Sequence, residues 1–98
     1  MAFTEHQAFH YSATCRTSDL AVLHCLRALC QYAETAKHPQ IGWGGSKQRR
    51  WEAQGGEVSF RFTSVANRDK FIHTAQRLLG SHWGLVRMND DDPASPQR

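Results

Sequence analysis

The feature that most constrains this chain is the segment Glu57–Thr63, where Val58, Phe60 and Phe62 alternate with Ser59, Arg61 and Thr63. A period of two is the mark of a strand with one apolar and one polar face. The preceding Gly55-Gly56 predicts a hairpin turn. Immediately after the strand, Ser64 offers an N-cap, and Phe71, Ile72, Ala75, Leu78 and Leu79 recur at helical spacing. Gly80 stands where a C′ glycine stops a helix.

The same logic extends in both directions. Phe9, Tyr11, Ala13 and Cys15 alternate with His10, Ser12, Thr14 and Arg16, which predicts a first strand. Thr17, Ser18 and Asp19 then supply caps for a helix reaching about residue 36. Its apolar side holds Val22, Leu26, Leu29 and Ala33, flanked by Leu23 and Cys30, opposite His24, Arg27, Gln31 and Glu34. His38-Pro39 ends it, because the residue before a proline is pushed out of helical geometry. Between 41 and 54 the pattern is weaker, but Arg49, Trp51 and Ala53 alternate with Arg50 and Glu52 as a strand would. A last strand is predicted over 82–88.

The predicted order is strand, helix, strand, strand, helix, strand, across residues 8 to 88. It resembles the ferredoxin-like superfold, the split βαβ arrangement, which implies an α+β sandwich with a four-stranded antiparallel sheet and two helices on one face. Within it, the segment from Gly56 to Ser64 resembles the third strand of an RNA-recognition motif, whose open face stacks bases on two aromatics. If Phe62 takes the last aromatic position, the stacking positions fall on Glu57 and Ser59, and neither stacks a base. On the first strand only His10 offers a ring to that face. The resemblance covers the scaffold and omits the stacking chemistry.

At 98 residues and 40% hydrophobic content, one domain with one core is expected. Residues 1–7 read as a flexible amino terminus, 8–88 as the domain, and 89–98 as a disordered tail of Asp, Pro, Ser and Gln. No apolar run is long enough to span a bilayer, and Met1–His6 lacks the regions of a signal peptide, so the expectation is a soluble, cytoplasmic protein. Cys15, Cys25 and Cys30 are odd in number and lack both disulfide-framework and Cys-x2-Cys spacing, so neither a disulfide scaffold nor a metal is expected. The formal net charge is +3, but residues 90–98 carry three aspartates against Arg98, which leaves the first 89 residues at +5. Such a body attracts anionic partners at long range.

The candidate surface is Ile41–Trp51, with Gly42, Gly44 and Gly45, the cations Lys47, Arg49 and Arg50, and two tryptophans. A phosphate-binding loop needs Gly-x4-Gly-Lys-Ser/Thr leading into a helix, and the order here is Gly-Gly-Ser-Lys. The dinucleotide Gly-x-Gly-x-x-Gly fingerprint fails because Lys47 stands at the third glycine. Two readings remain: cations guarding an edge strand, with Trp51 in the core, or a projecting loop whose Trp43 meets a partner.

No acid, base and oxyanion donor converge, so no catalytic residues and no cofactor are expected. His24-Cys25 is not a nucleophile pair, since adjacent helical residues diverge by about 100°. Asp69 and His73 form an i,i+4 pair on a solvated face. Arg68 either snorkels or reaches the sheet end, and Glu52 and Glu57 are placed to oppose each other across a hairpin. The functional expectation is a small non-catalytic binding protein, an adaptor, inhibitor or subunit. It contacts a protein partner through Trp43, Lys47, Arg49, Arg50, Arg61 and His10 on the loop and open sheet face. The alternative is a nucleic-acid module using Lys47, Arg49, Arg50 and Arg61. No membrane contact is expected, and a homodimer is left open.

Overall fold

The structure is a computed structural model that describes residues 5–35, 38, 40–44 and 48–94. In chain order the elements are α1 (Glu5–Ala8), β1 (Tyr11–Arg16), α2 (Leu20–Ala33), α3 (Gln40–Trp43), α4 (Gln48–Ala53), β2 (Glu57–Phe62), α5 (Val65–Leu79), a 3₁₀ turn (Gly80–His82) and β3 (Gly84–Asn89). Among the described residues there are three strands, antiparallel, in the order β2-β1-β3.

The sheet is therefore not the expected four-stranded ferredoxin-like one. The strand expected between 41 and 54 is instead the two short helices α3 and α4. Gln48, Arg49, Arg50, Glu52 and Ala53 are helix formers without β-branching. A strand would place Arg49, Trp51 and Ala53 on one face, but only Trp51 is buried. Gln48 Nε2 bonds Glu52 Oε1 at 2.9 Å one helical turn on, and the Trp51 indole donates to the Thr17 carbonyl at 2.9 Å. A buried tryptophan with its N–H satisfied anchors this short helix on the core.

Gly55 and Gly56 do turn the chain with positive φ, 67° and 91°, but they lead from helix into strand and not between two strands. Gly56 is tightly constrained, since a Cβ there would lie 2.7 Å from the Thr17 carbonyl oxygen. The place of the missing fourth strand, at the outer edge of β2, is taken by α3. A Cβ on Gly42 would lie 2.2 Å from the Arg61 carbonyl oxygen, so only glycine lets that helix approach the edge of β2.

The core lies between the sheet and the pair α2 and α5, which pack on each other. Ala13 and Cys15 from β1, Val58, Phe60 and Phe62 from β2, and Phe71, Ala75 and Trp83 meet Val22, Leu23, Leu26, Cys30 and Ala33 of α2. Phe71 is central: its ring lies 5.3 Å from Phe60, 5.2 Å from Phe62 and 6.4 Å from Trp83, all tilted. The Asp19 side chain caps α2 through Ala21 N, the Ser64 hydroxyl caps α5 through Asn67 N, and Gly80 closes α5 at φ 54°.

α2 stops at Ala33, and its C-cap Glu34 is buried. The Glu34 carboxylate accepts from Thr63 N at 2.8 Å, Thr63 Oγ1 at 2.7 Å, Asn67 Nδ2 at 3.1 Å and Thr35 N at 3.0 Å. It ties the end of one helix to the start of the other, and its donors offset the desolvation of a buried charge.

Candidate functional site

Three surfaces are built on this frame: the loop region, the open face of the sheet, and the edge formed by β3.

The described residues of the loop region form α3 and α4. Trp43 is half-buried against α2, with the Arg27 guanidinium 4.7 Å over its ring and its indole N–H donating to Gln31 Oε1 at 3.1 Å. A shallow depression between them is lined by His24, Arg27, Ala28, Gln31 and Trp43. Arg49 and Arg50 are exposed on α4, and Lys47 lies outside the described residues. The residues named together from the sequence therefore divide, with Trp43 turned onto a helix and Arg49 and Arg50 facing solvent.

The open face carries Ser12, Thr14 and Arg16 of β1 beside Glu57, Ser59 and Arg61 of β2. Ser12 and Thr14 are buried even here. The Thr14 and Ser59 hydroxyls bond at 2.8 Å, Arg16 pairs with Glu57, and Arg87 of β3 approaches the other Glu57 oxygen at 3.8 Å. Glu57 thus meets arginines and not Glu52, which sits on α4. No aromatic ring stands at the Glu57 or Ser59 position, so the face offers no base-stacking platform.

One end of that face is closed by the chain's own carboxyl-terminal segment. Asp92 N donates to the His10 carbonyl at 2.8 Å and Ala94 N to the Phe9 carbonyl at 2.9 Å. Arg61 grips Asp92 twice, Nε to the carbonyl at 2.8 Å and Nη2 to Oδ1 at 3.1 Å. Burial alone would raise the Asp92 carboxyl, but hydrogen bonds from Arg61 and Ser12 and the charges of Arg61 and Arg87 outweigh it and hold the group below its ordinary range. The His10 ring nitrogen Nδ1 is 2.7 Å from the Asp90 carbonyl. Arg68 reaches the sheet end: 5% exposed, it donates to the carbonyls of Ser12 and Asn89 and meets Asp90 Oδ1 at 2.8 Å.

The third surface was not visible in the pattern of residues. All six residues of β3 are exposed, and a β-bulge interrupts its pairing with β1 between Thr14 and Cys15. Because of the bulge, Leu85 and Met88 both lie opposite core-facing residues of β1, Cys15 and Ala13. They share the helix side of the sheet, where Ile72, Asp69 and His73 of α5 complete a groove. Leu85, Val86 and Met88 are exposed, as is Leu78 nearby in sequence on α5 at 57%. The signal for this surface was the strand order, which no single stretch of sequence reveals.

The three thiols are free, and no group of histidines, cysteines and carboxylates among the described residues is arranged to hold a metal. Burial raises the Cys15 thiol to about 12, and burial with the charges of Glu34 and Cys15 raises Cys30 as well. Both are protonated packing residues. No described helix is long and apolar enough to cross a membrane. Comparison with known proteins finds no matching family model, no matching curated protein and no matching solved structure.

Proposed function

We propose that this chain is a non-catalytic binding domain that takes an extended segment of a protein partner as a fourth strand along β3. The observation that supports this reading is the wholly exposed β3 edge with Leu85 and Met88 beside an apolar groove. In strand addition the ligand's backbone bonds to the free edge and alternate side chains enter pockets beside it. Here the groove of Ile72, Leu85 and Met88 receives the apolar positions, and Asp69 and His73 at its rim set a polar preference. The bulge and the charge of Arg87 discourage pairing with flat, apolar strands, so the edge selects a ligand and does not aggregate.

This reading moves the contact away from Trp43, Arg61 and His10, each of which is engaged within the chain. Arg49 and Arg50 remain exposed and support the nucleic-acid alternative.

The test is selection of extended peptides from a displayed library, followed by mapping the amide shifts of the bound protein. The expected result is shifts concentrated in residues 84–89 and 69–73, abolished by Leu85→Asp or Met88→Asp. Shifts confined to α3 and α4, with retention on single-stranded nucleic acid that falls steeply with salt, would replace this reading with the alternative.

A further inference from the structure

The segment Asp90–Asp92 lies against the residues that lead into β1, where Asp92 N donates to the His10 carbonyl. Around it converge two guanidiniums, an imidazole and a hydroxyl: Arg61, Arg68, His10 and Ser12. What they hold is a set of oxygen acceptors from two acidic residues, the Asp90 carbonyl and Oδ1 and the Asp92 carbonyl and Oδ1. Arg68 is the most committed of the donors. It is 5% exposed, its Nε is buried without a hydrogen-bond partner, and its guanidinium carbon lies 5.9 Å over the Tyr11 ring, itself packed 4.1 Å from the His10 ring. That Nε is shielded from solvent, so an incoming anion meets the Nη1 that already serves Asp90.

The acceptors are loosely held by comparison. The Asp90 side chain is 71% exposed while its partner Arg68 is 6% exposed, and the Asp92 side chain is 32% exposed. The Asp90–Arg68 pair, with one partner so open to water, is weak and screened by salt, while Asp92 is held more firmly by Arg61 and by its backbone bond to His10. A preformed cationic cluster is thus occupied by two carboxylates, of which Asp90 leaves at little cost.

We infer that this end of the sheet is a binding site for a phosphate-bearing anion, and that the Asp90–Asp92 strap occupies it from within the chain as an autoinhibitory contact. A phosphate offers several oxygens on one centre, which suits two guanidiniums with a neighbouring imidazole and hydroxyl. The strap competes as a tethered ligand, so the affinity for an external anion is lowered by the strap's effective concentration.

The probe is inorganic pyrophosphate, titrated at low salt and followed by amide and arginine side-chain resonances. In the wild-type chain, binding shifts the amides of Asp90, Asp91, Asp92 and Ala94 and the Arg61 and Arg68 side chains together. The double variant Asp90→Asn with Asp92→Asn binds about tenfold more tightly, because the tethered competitor is weakened. Adding Arg61→Gln to that variant removes the gain. A variant with the same change of net charge elsewhere, Glu52→Gln with Asp19→Asn, the asparagine keeping the cap of α2, binds as wild type. The inference is overturned if the strap amides do not move on titration, if the double variant binds no more tightly, or if the distant charge variant gains equally.

Discussion

At the scale of single residues, packing is constrained from both sides, by a large ring at Phe71 and by the missing side chain at Gly42. Phe71 touches Phe60, Phe62 and Trp83, so Phe71→Ala leaves a cavity at the centre of the core, and a loss of about 3–5 kcal/mol in urea unfolding is expected. Gly42 is the reverse case, where adding a methyl group does harm. Its Cβ would sit inside the Arg61 carbonyl, and Gly42→Ala is expected to cost about 1–3 kcal/mol by the same measurement. The thiols divide by burial. Cys25 is exposed and is expected to react with a chromogenic disulfide reagent in the native protein, while Cys15 and Cys30 react only as the chain unfolds. Rapid reaction of all three would mean that the face of α2 carrying Cys30 opens in the native state. The placement of Phe60, Phe62 and Phe71 was legible from periodicity, because apolar spacing reports burial directly. Glu34 was not: as a sequence letter it lay on the polar side of α2, and only the meeting of two helix ends made its burial favourable.

At the scale of elements, β2 and α5 were legible because each combined a strong period with a punctuating cap, Ser64 between them and Gly80 at the end. Gln48–Ala53 was not, because six residues fit a period of two and a turn of helix equally well. The choice was settled by tertiary contacts of one residue. Trp51 finds Thr17 as a partner for its N–H, and the rest of the segment stays in solvent. Trp51→Ala is therefore expected to melt α4 and reduce overall stability by about 3–5 kcal/mol, whereas Arg49→Ala stays within about 0.5 kcal/mol. Comparing the two variants by circular dichroism and denaturant unfolding checks both. Equal effects would mean that α4 is held by its cations and not by its tryptophan.

For the whole molecule, the pH dependence of the carboxyl-terminal strap follows from the direction of one shift. Asp92 is held below its ordinary value in the folded chain, so its contribution is fully present above the usual carboxylate range and is lost as pH falls through the folded value. A carbon-detected carboxyl titration is expected to show Asp92 titrating below an exposed aspartate, with strap amides shifting along the same curve. Titration at the ordinary value would remove Arg61 as its partner. The candidate site was only partly legible for a related reason. Cations and a tryptophan in one stretch suggest a surface, yet which of them face solvent depends on what folds against them: α2 for Trp43 and the strap for Arg61.

The approach of Gly42 to the Arg61 carbonyl also governs how far this sheet can grow. With α3 seated against β2, that margin is covered, and among the described residues β3 is the edge left where backbone pairing can continue. A sheet open on one side can take one added strand, or join one other molecule edge to edge, and then has no free margin left. Growth ends after one step, so the chain can expose a pairing edge without seeding a fibre.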